Sequence, residues 1–133
     1  MWQYIAALML LAHGLGHLTG MLAGWTSVNS GFADKPWILP GNYSIRSKVG
    51  AAWGVIWLAA MILFIGSGIG VLMEERWWRT LAIVGSFASI VAMAPWWNTI
   101  HLGARMGVVL DVAIIAVLLL PWGDNFTDFF EVP

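Results

Sequence analysis

Ala12-His13-Gly14-Leu15-Gly16-His17-Leu18-Thr19-Gly20 is the stretch whose reading decides the fold. It lies inside an apolar run from Tyr4 to Trp25, where a helix packed in lipid ordinarily carries Leu, Ile and Val, and it brings histidines and glycines instead. At about 100° per residue, His13, Gly16, His17, Gly20 and Gly24 share one helix face, while Gly14 points about 120° away, toward lipid. A face of glycines is flat and lets another helix come close. An imidazole on that face needs a polar partner inside the protein, because hydrocarbon offers none. The stretch therefore predicts a membrane bundle with a polar spot in its interior.

The rest of the chain agrees with lipid as its solvent. Of 133 residues, 60% are apolar and 10% charged, against about a quarter charged in soluble domains. The net charge is −1, and the few Lys and Arg lie at the ends of apolar segments, which argues against a nucleic-acid partner. Cysteine is absent, so disulfides, thiolate metal sites and thiol relays are excluded.

The first run spans residues 4–25, about 22 residues, close to the ~20 that cross a bilayer. No Lys or Arg precedes it, so it reads as a retained span and not a secretory signal. Trp2, Tyr4 and Trp25 occupy the interfacial positions. A polar loop follows to Ser47, with Pro36 and Pro40 around Trp37-Ile38-Leu39 and a Pro40-Gly41 pair suited to a type II turn. The loop is expected to press Trp37 into the headgroups, with a lid over the bundle mouth as the alternative. The triplet Asn42-Tyr43-Ser44 has the form of a glycosylation acceptor, but nothing else points to a secretory route.

Further spans are expected over residues 48–73, 77–97 and 99–120. Ser47 caps the second and Asn98 the fourth, and Pro95 kinks or stops the third. Glu74-Glu75-Arg76 is so short that spans two and three must form an antiparallel hairpin. Gly123 to Glu131, acidic and aromatic, reads as an interfacial tail. The whole chain, 1–133, is thus expected to be one all-α domain: a four-helix transmembrane bundle, up-down-up-down, with a long loop between helices 1 and 2.

Span four is the second polar helix, with His101, Arg105 and Asp111. Counting 1.5 Å per residue from the shared membrane face puts His17 and Arg105 on the order of 10 Å deep and His13 and Asp111 at about 15 to 20 Å. If the first and last helices are neighbours, these residues form one connected site. An Arg or Asp in the hydrocarbon layer costs about 2.5 to 3.5 kcal/mol, so each should face the bundle interior and find a partner. Mutual hydrogen bonding alone satisfies that demand, and a purely structural network is one reading. A second is a small ligand, lipid headgroup or quinone held by His17, His101 and Arg105, with Arg105 facing any anionic group. A third is a metal site of His13, His17, His101 and Asp111, although His-x-x-x-His lacks the Glu of a zinc protease motif. A fourth is a haem held by His101 with His13 or His17. Which cofactor, if any, the chain takes stays open.

The plan resembles the DoxX-like group of small four-span bacterial membrane proteins, in the four spans, the long first loop and the Gly-rich polar patch His13-Gly14-Leu15-Gly16-His17-Leu18. The resemblance implies a bacterial or archaeal inner membrane and a subunit role, since some members of that group belong to redox or quinone-linked complexes. It assigns no site residue. No nucleophile with a recognisable base, phosphate loop or redox thiol is present, which favours a binding or accessory protein over an enzyme. Expected partners are the bilayer and other membrane subunits, or a second copy through the glycine faces. Lys35, Arg46, Lys48 and Arg105 on one side against Arg76 and Arg79 on the other place the long loop in the cytoplasm by the positive-inside tendency.

Overall fold

The computed structural model describes residues 1–120, so the tail at 123–131 lies outside the described residues. Four helical segments are long and apolar enough to cross a membrane: Trp2–Trp25, Lys48–Leu72, Trp77–Trp96 and Leu102–Leu119. The first is divided at His17 into α1, Trp2–Gly16, and α2, Leu18–Trp25. There the His17 amide donates to Gly14 O at 3.0 Å, one residue short of the α-helical partner, and Thr19 Oγ1 donates to Gly16 O at 2.8 Å. Gly14 and Gly16 each weaken an α-helix by about 1 kcal/mol relative to alanine, so this is where the ladder gives way.

Helix α3, Lys48–Leu72, begins at the expected cap, with the Gly50 amide donating to Ser47 Oγ at 3.2 Å. Such a cap is worth about 1 kcal/mol. Glu74, in the left-handed region at φ 58°, turns the chain into α4, Trp77–Met93. Pro95 then tightens the end into a 3₁₀ turn, Ala94–Trp96. Helix α5, Leu102–Leu119, is capped by His101 and not by Asn98: His101 Nδ1 accepts from the Ala104 amide at 3.3 Å. Asn98 instead donates to Pro36 O at 2.8 Å and ties the loop to the bundle.

In lipid, burying a methyl group against a helix gains little hydrophobic energy, so the helices are held by close packing and interhelical hydrogen bonds. Between α1 and α3, Gln3 Nε2 donates to Val71 O at 2.9 Å, pairing the start of one helix with the end of the other. At the opposite end, Gly20 lies directly on the Trp57 ring and Gly24 on Gly50 O. Helices α3 and α4 meet through Ser67, which donates to Trp78 O at 2.8 Å, and Trp53, which donates to Ala92 O at 3.2 Å. Helix α4 reaches α5 through Arg79 on Leu118 O and Ser89 on Asp111. Each pair of neighbours thus runs antiparallel. Close backbone packing runs α1–α3–α4–α5, and the first and last helices are joined mainly by side chains.

Two expectations about this layer are corrected. Gly14 does not face lipid: it is buried, and a Cβ there would stand 3.0 Å from Phe64 Cβ and 3.2 Å from Ile65 N. Gly16 is the exposed one, with nothing within 4 Å of its Cβ position. The loop also folds back on the bundle. Ala33 and Ile38 amides donate to Thr99 O and Pro95 O at 2.9 and 2.8 Å. Trp37 turns inward, its ring 5.4 Å from Trp96 and 5.9 Å from Trp53, instead of standing out toward headgroups.

Candidate functional site

Asp111 is the only acidic residue within the four spans, and it is wholly buried. Helix α5 carries it toward α1 and α4, where Oδ1 lies 2.8 Å from His13 Nε2 and Oδ2 accepts from Ser89 Oγ. This three-helix knot is the physical answer to a carboxyl group at that depth, since an unpaired one is expensive in hydrocarbon. His13 and Asp111 share a depth in the count along the helices, and they meet. Ser89 was missed as a partner. In the sequence it is one of several small residues on span three, and only the rotation of α4 against α5 distinguishes it.

The break after Gly16 sets His17 on the inner side of α1 and α2, where it is 3% exposed. Its ring stacks on Phe64 at 5.7 Å and 17° and lies 5.6 Å from Trp57 and 5.1 Å from the His13 ring. Its Nε2 has no hydrogen-bond partner among the described residues. Buried polar atoms without a partner are uncommon in proteins, and here Trp57 Nε1, Ser86 Oγ, Trp96 Nε1 and Arg105 Nε share that state with it.

His13, His17, Trp57 and Met93 line one side of a cavity of about 190 Å³, and His101, Gly103 and Gly107 line the other. It sits on the loosely joined seam between α1–α2 and α5. Gly16, His101 and Gly103 are exposed, which places the mouth at the loop end, where Gly31 lies against the His101 ring. The floor is His13 with its bond to Asp111. Gly107 matters here because a Cβ on it would reach 3.3 Å from His13 Cε1. The three histidines therefore do share one cavity.

Arg105 does not join them. Its guanidinium stands 5.5 Å over the Trp97 ring and donates to Trp97 O at 3.1 Å. A cation near the membrane edge finds an aromatic face and a carbonyl at the end of the preceding 3₁₀ turn. The anion-binding set of His17, His101 and Arg105 is thus replaced by a cavity without a cationic side chain in its lining. The metal set is not assembled either: among the described residues, no group of three or more His, Cys, Asp or Glu could hold a metal ion. His101 spends Nδ1 on its capping bond, and Asp111 is committed to His13 and Ser89. A haem spanning His101 and α1 meets a different obstacle, since drug-sized groups fill pockets of about 300–1,000 Å³ and this cavity has about 190 Å³.

Farther along the same seam, beyond the His13–Asp111 bond, a second cleft of about 160 Å³ is wholly apolar, lined by Ala6, Met9, Leu10, Trp78, Ile114 and Leu118 among others. No family model, curated protein or solved structure matches this chain.

Proposed function

We propose that this chain is an integral membrane protein that binds a small polar molecule in the cavity between its first and last spans. The observation that carries the reading is a cavity of about 190 Å³ lined by His13, His17 and His101, with the Nε2 of the buried His17 left unpartnered. The His13, Ser89 and Asp111 network joins three helices and its members bond one another. His17 is held by ring packing alone and keeps one hydrogen-bonding nitrogen unused. The chemistry is binding: nothing beside His17 supplies a nucleophile, and the cavity has room for one small ring or branched molecule.

The test uses the exposed Gly16, which lines the mouth of the cavity and has nothing within 4 Å of its Cβ position, so that a bulky ring there obstructs entry. Small probes, among them tert-butanol and tert-butylammonium, are titrated into detergent-purified protein and followed by ligand-observed NMR. At least one is expected to bind the wild type and to be lost in Gly16→Phe, with the melting temperature little changed. If no probe distinguishes the two proteins, the cavity is a packing defect and the polar cluster serves structure alone.

An accessory-subunit role is the second reading, favoured by the wholly apolar cleft on the same seam and by the resemblance in plan to DoxX-like proteins. Recovery of the tagged chain from its native membrane in a stoichiometric complex supports it, and recovery as a lone monomer rejects it.

A further inference from the structure

Helices α1 and α5 face each other without close backbone packing, and the space between them changes character with depth. Toward the loop end lies the cavity, with Ala12, His13 and Gly16 on α1 and Gly103 and Gly107 on α5. The apolar cleft takes up the seam in the other direction, with Ala6, Met9 and Leu10 on α1 and Leu110, Ile114 and Leu118 on α5. The two helices run antiparallel, so at the junction Leu10 adjoins Ala12 and Leu110 adjoins Gly107, each within one turn. From Leu110 to Leu118 the cleft extends about 12 Å at 1.5 Å per residue. The His13–Asp111 bond crosses the junction on its inner side, because Asp111 is wholly buried and drawn to Ser89 of α4. At the same level Ala12 is exposed and Gly107 has no side chain, so no bulky group of the cavity lining closes the outer side.

Neither space is lined by Lys, Arg, Asp or Glu, so a charged ligand would lose its hydration there without gaining a counter-ion. The polar groups of the cavity suit a hydroxyl, which both donates and accepts. Thr19 Oγ1 spends its proton on Gly16 O and keeps its lone pairs as acceptors. His101 Nδ1 accepts the Ala104 amide, so the neutral ring carries its proton on Nε2 and brings a donor to the mouth. The cleft offers no hydrogen bond, and water does not settle in a space of that kind. Met9 and Ala113, which line it, are exposed, so it opens toward the hydrocarbon and fills from the bilayer. A partner helix is about 10–12 Å across with its side chains, too wide for about 160 Å³ spread over the length of the cleft. A single alkyl chain fits.

Resting on the ligand-binding reading above, we infer that the seam between α1 and α5 takes one uncharged single-chain lipid, its hydroxyl head in the cavity and its alkyl chain along the apolar cleft. The chain leaves the cavity between Ala12 and Gly107, outside the His13–Asp111 bond. The head supplies selectivity through hydrogen bonds. The chain supplies orientation, since the cleft runs only toward the end of the seam where α1 starts and α5 stops. In hydrocarbon the chain gains little by leaving other lipid, so it contributes fit and not hydrophobic transfer.

The test uses monolauroylglycerol, which has the head and the chain, laurate, which has the chain with a charged head, and tert-butanol, which stands for the head alone. Full-length protein is held in nanodiscs of phosphatidylcholine, with the two lipids counted by native mass spectrometry and tert-butanol followed by ligand-observed NMR. The wild type is expected to hold one monolauroylglycerol and to bind laurate about tenfold or more weakly, since a charge is costly at this depth. Gly16→Phe at the mouth should lose both monolauroylglycerol and tert-butanol. Ala113→Phe, at an exposed position on the cleft, should weaken monolauroylglycerol by about tenfold or more and keep tert-butanol. Met9→Trp narrows the same cleft from α1 and takes the place of Ala113→Phe if that variant does not fold. Undiminished monolauroylglycerol binding in either blocked variant, laurate bound as tightly, or a small probe bound without monolauroylglycerol overturns the spanning lipid and leaves the cavity reading standing. A changed oligomeric state in Ala113→Phe with the lipid retained does the same and gives the cleft to a second copy. If neither monolauroylglycerol nor any small probe binds, both fall.

Discussion

Gly20→Ala and Gly16→Ala add the same methyl group four residues apart on the first span and are expected to move stability in opposite directions. At Gly20 the new Cβ would lie 2.1 Å from Trp57 Cδ2 and 2.3 Å from Cε3. Trp57 is 1% exposed and is held between the rings of His17 and Phe32. The indole can give way only toward the cavity it lines, and otherwise α2 and α3 must separate. Overpacking of this kind costs about 1–3 kcal/mol, and a contact this short belongs at the upper end. Alanine returns about 1 kcal/mol of helix propensity, leaving a net loss of about 2 kcal/mol. At Gly16 nothing lies within 4 Å of the new Cβ, so only the propensity gain of about 1 kcal/mol remains. The two variants should then differ by about 3 kcal/mol, or about 150-fold in the unfolding equilibrium. Reversible unfolding in mixed micelles, followed by far-UV circular dichroism, measures this directly. Equal losses from both substitutions, or a larger loss at Gly16, would refute the packing argument. A Trp57→Phe change made alongside Gly20→Ala should recover part of the loss, because the clash is with the six-membered ring.

Ser89→Ala removes one of the two bonds to the wholly buried Asp111 carboxyl. The expected loss is about 1–3 kcal/mol, from an acceptor left without a partner in a dry site; a loss below about 0.5 kcal/mol in the same micelle assay would mean that the bond is dispensable. Orientation is tested by a reporter active only outside the cytoplasm. Fused at the C-terminus it should be active, since the loop carrying Lys35, Arg46 and Lys48 is expected in the cytoplasm, and an expressed but silent fusion reverses that assignment.

How much of this protein was legible beforehand divides along a physical line. The four apolar runs, the Ser47 cap, the short turn at Glu74 and the stop at Pro95 follow from the sequence, because each is enforced locally. A bilayer needs about 20 apolar residues per crossing, a serine before a helix satisfies orphan amides, and proline lacks the N–H that the next turn requires. The pairing of His13 with Asp111 was legible as a depth, since rise per residue is fixed once the helix ends are known. What the sequence could not determine was how each helix is rotated about its axis. These spans are apolar nearly all round, so no polar stripe announces which side faces a neighbour. Rotation is decided by which glycine fits which ring. Gly20 under Trp57 and Gly14 against Phe64 set the first span, and that packing brings His13 and His17 to the cavity and turns Gly16 outward. The same holds for span four, where Asp111 meets Ser89 and His13 while Arg105, on a different face, goes to Trp97. The fold-back of the loop onto the 3₁₀ turn also belongs to the tertiary structure, because the Ala33 and Ile38 amides bond carbonyls distant in sequence, on Thr99 and Pro95.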